Sequence, residues 1–426
     1  MMRLAGKFVG LFLVALCADH RMAAAQDSTG RGVRIGLTYD PATRPGTLVL
    51  PVAGARGDSV RALLLRDLDF GDRLAPIEGE AGAGGAVNYP LARTLGASIV
   101  VQATVTAGGL HVAIHDVAGA AVTSVFDAVL PQPVLGSAWR HGVHRVADEV
   151  ERLVSGSRGI AATRVLFVRG GQVWSIDSDG AGDGVLTSGG TALSPAWHPS
   201  GRSFAYSVLG PRGSQILLRD VAGSPRVIAT GGLNITPTFA PDGSALAYAH
   251  GVEAGTDVML APLGGGATQR VTVGRGTDNL SPSFSPDGRR LVFASGRSGH
   301  PEVYISDADG TNAELLTTFT FGEAAYRSNP DWSPDGRLVA YQARVDGRFQ
   351  VMTIALRDRS VRQVTSEGVS EDPSWAPDGR HLVVTSSRGG GRHLYVVDSE
   401  SGRTRQLTRG APARLAAWSR SLDPIQ

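Results

Sequence analysis

From Arg164 onward, hydrophobic and polar positions alternate in short runs such as Arg290-Leu291-Val292-Phe293-Ala294, Leu338-Val339-Ala340-Tyr341 and His393-Leu394-Tyr395-Val396-Val397. A period of two, bounded by Gly, Pro, Asn and Asp, predicts short strands with one face buried. The runs recur in register with a second pattern. Ser281-Pro282-Ser283-Phe284-Ser285-Pro286-Asp287-Gly288 and Asn329-Pro330-Asp331-Trp332-Ser333-Pro334-Asp335-Gly336 are its clearest copies, and Ser194 to Gly201, Thr236 to Gly243 and Asp372 to Gly379 are three more. Leu415 to Ser419, with Trp418, is a degenerate sixth. The aromatic positions Trp197, Phe239, Phe284, Trp332, Trp375 and Trp418 stand 42, 45, 48, 43 and 43 residues apart. That spacing is the length of one four-stranded propeller blade. Residues 164 to 187 hold only the later strands of a blade, and the copy at 415 to 419 only an initial strand. Pairing the two predicts a six-bladed β-propeller over residues 163–422, closed by its C-terminal strand, which leaves no long unpaired edge.

Residues 26–162 lack the repeat and predict a mixed α/β domain. Strands are expected near Val33 to Tyr39, Thr47 to Val52, Ser98 to Thr104, Leu110 to Asp116 and Thr123 to Val129, and helices from Ser59 to Asp69 and Leu135 to Ser155. Trp139, Val143, Val146, Val150 and Val154 line one face of the second helix, and Gly156 is its natural stop. The predicted fold class is therefore multi-domain, α/β plus all-β, with a short tail at 423–426.

Composition changes this picture little. Hydrophobic residues make up 42% of the 426-residue chain, charged residues 19%, and there are 56 glycines, which suits an all-β protein rich in turns. Residues 1–25 read as a cleavable signal: Arg3 and Lys7 precede the apolar run Phe8 to Cys17, and Ala23-Ala24-Ala25 offers the cleavage site. Acylation at Cys17 is disfavoured by the bulky Leu16. Without this segment the chain has 38 basic and 38 acidic side chains and no cysteine. That excludes disulfides and thiol chemistry and gives no basic footprint for nucleic acid. No other stretch is long and apolar enough for a membrane-spanning helix. A soluble, exported monomer is expected, with no cofactor and no metal.

The candidate chemistry is sparse. No Gly-x-Ser-x-Gly elbow occurs; Gly296-Arg297-Ser298-Gly299 lacks the spacing. Ser59 or Asp58 ahead of Val60 to Leu65 reads as a helix N-cap rather than a nucleophile, and Arg56-Gly57-Asp58 as a chance adhesion tripeptide. His141 and His144 lack a third metal ligand, so His144 is expected to cap, pack or pair with Asp148. Asp177-Ser178-Asp179-Gly180 and Asp307-Ala308-Asp309-Gly310 lack the later ligands of a calcium loop and read as strand-joining turns. A cation in the channel stays open. The Pro-Asp-Gly copies are structural hairpin turns, which puts function at the opposite end of the inner strands. There Ser194, Thr236, Asn279, Ser281, Asn329, Glu371 and Asp372 are expected around one channel mouth. Arg297, Arg344 and Arg388 join them from the loops between second and third strands. Small polar, acidic and arginine groups around a concavity suit a protein or peptide partner.

The junction carries a more specific signal. Arg140, His144-Arg145-Val146-Ala147-Asp148, Ser155-Gly156, Gly159 and Thr163 to Val168 resemble the TolB family's last helix and its entry into the propeller. Val33-Arg34-Ile35 and Pro45 to Pro51 resemble that family's N-terminal arm and first domain strand. The resemblance implies a non-enzymatic periplasmic component of a Tol-Pal-like envelope system that supports envelope integrity and cell division. It further implies a peptidoglycan-associated lipoprotein bound at the channel mouth and a TolA-like inner-membrane partner engaged through the arm at Val33, Arg34 and Ile35. Two other readings remain: a sensor or carrier holding a glycan or small ligand in the channel, and a hydrolase acting through Ser59.

Overall fold

A computed structural model describes residues 44–82, 85–252, 255–274, 276–318 and 325–420. The signal at 1–25 and the arm at Val33, Arg34 and Ile35, with the strand expected there, lie outside the described residues.

The first strand, β1 (Gly46–Val49), lies between β2 (Ala75–Glu78) and β3 (Ile99–Thr106), parallel to both. β4 (Gly109–Asp116) and β5 (Ala121–Val129) extend the sheet antiparallel. Alternation divides β1 between two cores. Val49 joins the cluster under α1 (Gly57–Phe70) and α3 (Ser137–Ser155), which holds Leu64, Leu68, Val143, Val146 and Val150. Leu48 faces the other side, with Ala92 of α2 (Tyr89–Thr94), Ala97 and Val100. β2 and α2 were not legible. β2 is four residues with a proline inside, and α2 starts where Asn88-Tyr89-Pro90 reads as a turn. There the Asn88 side chain caps the helix by accepting from the Leu91 N–H, and Pro90 sits in the first turn, where no intrahelical donor is needed.

α3 behaves as its apolar stripe predicts: Trp139, Val143, Val146, Val150 and Val154 are buried, and Gly156 closes the helix at φ 78°. α1 corrects the N-cap expectation. It starts at Gly57 rather than Ser59, and no side chain caps it. Instead Arg56 is left-handed at φ 62°, and its carbonyl accepts from the N–H groups of Ser59 and Val60. Gly57 makes this entry possible, because a Cβ there would lie 1.8 Å from the Val52 carbonyl oxygen. Gly57→Ala is expected to destabilise the protein by about 1–3 kcal/mol through forced backbone displacement. A urea midpoint equal to that of the parent would contradict this account.

Six four-stranded sheets follow. Five run outward in chain order, their inner strands being Ala192–Trp197, Leu233–Phe239, Asn279–Phe284, Arg327–Trp332 and Ser370–Trp375. In the sixth, Arg414–Trp418 pairs with Arg164–Arg169, placing Trp418 opposite Val165. The Pro-Asp-Gly segments are the hairpins expected of them. At the clearest copy Gly288 N–H donates to the Ser285 carbonyl, Gly288 takes φ 72°, and the Ser285 hydroxyl donates to Asp287 at 2.6 Å.

Packing between blades explains the aromatic repeat. Each inner-strand aromatic wedges between two blades: Trp332 packs with Val292, Val303 and Ile305 of one and Val339 and Tyr341 of the next. Ala340, between those last two residues, points the other way and packs with Trp375 and Leu382. Strand alternation thus supplies apolar surface to both neighbours of every blade, so both faces of each sheet are buried.

Candidate functional site

The X-Pro step of each repeat lies within the inner strand rather than in a loop before it. Ser194, Thr236, Ser281, Asn329 and Asp372, and Leu415 in the degenerate copy, all take left-handed backbone at φ between 45° and 54°. Pairing with the second strand slips at this point, for example between Leu280 and Ser283. At five of the six the following residue is a proline, which has no N–H to give the ladder and so favours the bulge; Leu415, followed by Ala416, slips in the same way. Left-handed backbone costs a non-glycine residue about 1–2 kcal/mol. Six such residues at equivalent positions form one ring, and together with the residues after them they line a channel cavity of about 190 Å³.

Side chains link this ring from blade to blade. Thr236 Oγ1 accepts from the Ser281 N–H at 3.1 Å, the Ser281 hydroxyl donates to Asn329 Oδ1 at 2.9 Å, and the Asn329 amide donates to Asp372 Oδ1 at 2.6 Å. Thr385 Oγ1 donates to Asp372 Oδ2 and accepts from the Leu415 N–H. Two residues further along each strand runs a second belt. The Ser283 hydroxyl donates to Asp331 Oδ1, and Asp331 Oδ2 accepts from the Trp375 N–H at 2.8 Å. Burial in the narrow channel wall raises the pKa of Asp331, partly offset by the Trp375 N–H. Burial also raises that of Asp372, and the charge of Glu371 beside it adds to the effect. The channel is therefore a hydrogen-bonding, acidic environment whose carboxyls hold their protons more tightly than in water. Arg420, which also lines it, is the cation acting on Asp331.

The structure sorts the expected mouth residues. Ser194, Thr236, Ser281, Asn329 and Asp372 converge on the channel. Glu371 is half-buried next to them and pairs with Arg392 at 2.8 Å. Asn279 is a correction. Its side chain is fully buried, donating to the Thr256 carbonyl and Asp257 and accepting from Arg297. Arg297 and Arg388 are a second correction, being clasps for their own loops. Arg297 stacks 4.7 Å from the Tyr304 ring and donates to Ser295; Arg388 lies 5.7 Å from the Tyr395 ring and pairs with Glu367. Arg344 is exposed at the end of its strand, outside the channel lining. Asp331 and Arg420 were missed. Asp331 was read only as part of the repeat, although its place two residues after the bulge repeats in every copy; Arg420 carries no motif.

The junction between α/β domain and propeller holds the most densely charged region. The Asp148 side chain accepts from the Ala161 and Ala162 N–H groups at 2.7 and 3.0 Å, so it is not paired with His144 as the four-residue spacing suggested. His144 reaches Asp67 Oδ2 at 2.6 Å instead, because both face the α1–α3 contact. Asp179, from a propeller turn, binds Arg66 and Arg140. His381, fully buried, sits between Asp378 at 2.8 Å and Asp72 at 3.2 Å, with Arg73 also on Asp378. Asp67, His144 and Asp179, and likewise Asp72, His381 and Asp398, have atoms close enough to grip a metal ion. Their carboxylates are instead neutralised by Arg66, Arg140, Arg380 and Arg403, which makes both groups ion-pair networks. His141 belongs to neither. Ser59 stands in the first turn of α1, and no helix among the described residues is long and apolar enough to cross a membrane.

Six blades around a polar channel, joined through buried ion pairs to a mixed α/β domain, define the class: a six-bladed β-propeller with an appended α/β domain. The sequence profile of the TolB beta propeller domain matches residues 150–422, and the chain belongs to the TolB family. Among its relatives, the Tol-Pal system protein TolB of Mannheimia succiniciproducens is 31% identical over 143 residues, covering 31% of this chain and 33% of that one. The Tol-Pal system protein TolB of Haemophilus influenzae is 27% identical over 246 residues, covering 53% and 56%. The chain thus spans between a third and just over half the length of these two relatives. The crystal structure of TolB from Acinetobacter baumannii superposes with a TM-score of 0.76 at 22% identity, covering 90% of this chain and 98% of that one, a likeness of fold.

Proposed function

We propose that the chain is a non-enzymatic periplasmic component of a Tol-Pal-like envelope system, whose channel takes a segment of a peptidoglycan-associated lipoprotein. The arm at Val33, Arg34 and Ile35 is assigned to a TolA-like partner, and envelope integrity and division are the process served. The observation that carries the reading is the ring of left-handed X-Pro residues. Strained backbone concentrates where a function uses it, and here it turns Ser194, Thr236, Ser281, Asn329 and Asp372 into one concavity. The size of the cavity argues against a small-ligand carrier. At about 190 Å³ it falls below the roughly 300–1,000 Å³ of small-molecule sites. A protein partner can instead cover the rim and insert only a few polar or cationic side chains.

Glu371→Gln with Asp372→Asn keeps shape while removing the charge, the new amide at position 372 still accepting from Asn329 and turning its NH2 toward Thr385 Oγ1. The pair is expected to weaken lipoprotein binding at least about tenfold in calorimetric titration, with an unchanged melting temperature. Parental affinity in a folded double variant would overturn the channel assignment.

A further inference from the structure

A second cavity, of about 320 Å³, lies where the end of α3 and the segment after it meet the propeller. Three arginines open into it: Arg145 from α3, Arg158 from the connecting segment, and Arg420 from beyond the closing strand. None of the three has an ion pair or a side-chain hydrogen bond among the described residues. Arg66, Arg73, Arg140 and Arg403 of the junction each hold a carboxylate instead, and Arg405 lies over the Phe70 ring.

The two acids in the wall are engaged elsewhere. Asp148 gives both oxygens to backbone N–H groups, and Asp378 is neutralised by His381 and Arg73. Burial also lifts Asp148 to a pKa of about 7, against the pull of those N–H groups and of the Arg158 charge, which weakens it as a counter-ion. Three guanidinium groups therefore line one partly open pocket, Arg158 at its exposed rim, with more positive than negative charge around it. Like charges gathered in this way repel unless an anion joins them, and planar guanidinium forks match carboxylate and phosphate oxygens in pairs.

We propose that this pocket binds an oxyanion, the carboxylate or phosphate group of a small ligand, through Arg145, Arg158 and Arg420. The site is separate from the lipoprotein-binding surface proposed above, and among the described residues Arg420 is the one charged residue lining both cavities. Its volume is at the lower end of the range for small-molecule sites, enough for an anionic group with a short organic body.

The test is calorimetric titration of the full chain with citrate and with inorganic phosphate at constant ionic strength, repeated on Arg145→Gln/Arg420→Gln and on Arg158→Gln alone. Saturable one-site binding of either anion is expected, weakened at least tenfold in the double variant and less in Arg158→Gln. Citrate alone would mark a carboxylate site, and phosphate binding a broader oxyanion site. The unliganded melting temperatures should match, because no ion pair is removed. Both anions also stabilise proteins by exclusion from their surfaces, an effect the double variant would retain in full. Absence of saturable binding, or equal binding by the double variant, would overturn the site.

Discussion

Trp418→Ala is expected to remove about 3–5 kcal/mol of stability, the range for deleting a buried tryptophan. Trp418 is 4% exposed and packs with Val165, Phe167, Val383 and Val396 between the first and last blades. Its indole N–H donates to Thr163 Oγ1 at 2.8 Å, and its backbone N–H to Ser374 Oγ at 3.1 Å. Trp197 is the control, because its indole nitrogen has no partner and its blade is continuous in sequence. If the seam between the chain's distant parts is the weak point, Trp418→Ala should lower the urea midpoint more than Trp197→Ala and speed proteolytic release of the last strand. Equal midpoints and equal proteolysis would show that closure adds nothing beyond ordinary packing.

His381→Ala should be costly, about 3 kcal/mol, because it takes the imidazolium from between Asp378 and Asp72 and leaves each carboxylate with a single arginine, Arg73 and Arg403. Burial by itself would push the imidazole down, but the Asp378 and Asp72 carboxylates outweigh it and hold His381 at about 9. A folded pKa above the ordinary 6.5 means the folded state binds the extra proton. The stability it contributes is complete below pH 6.5 and is lost as pH rises through 9, a change of about 3 kcal/mol. The lowered pKa of Asp378 belongs to the same pair and is counted once. Asp148 acts in the same direction in a lower window. Its pKa of about 7 lies above the usual carboxylate value, so its burial costs more as pH rises from about 4 to 7. Urea midpoints measured from pH 8 to 9.5, above the Asp148 window, should fall for the parent and stay nearly level for His381→Ala. Parallel curves would refute the assignment.

What was readable beforehand follows from sequence distance. The aromatic repeat and the strand alternation are local, so blade count, hairpin turns and the apolar face of α3 were open to inspection. β2 and α2 were not, because four residues with Pro76 carry no periodic signal and Asn88 and Pro90 act only once a helix follows them. At the candidate site, Ser281 and Asn329 were legible as repeat positions. The difference between them and Asn279, two residues before Ser281 on the same strand, was not. Asn279 is taken up by Thr256 and Asp257 of the preceding blade, and no pattern along its own strand reports that. The junction was least legible of all: Asp72 with His381 and Asp69 with Arg403 join residues more than three hundred positions apart.

Closure by Arg414–Trp418 also dictates a timetable. Five blades can form their sheets from contiguous sequence, but the sixth stays one strand short until Arg414–Trp418 has been made. A growing polypeptide therefore carries an open, incomplete ring until Arg414–Trp418 is in place, with the inner edge of Arg164–Arg169 bare. Contacts between such distant segments form slowly, and the waiting edge is the kind of surface that recruits other strands. A folding helper that shields this one edge until Arg414–Trp418 arrives would keep it from pairing with other strands.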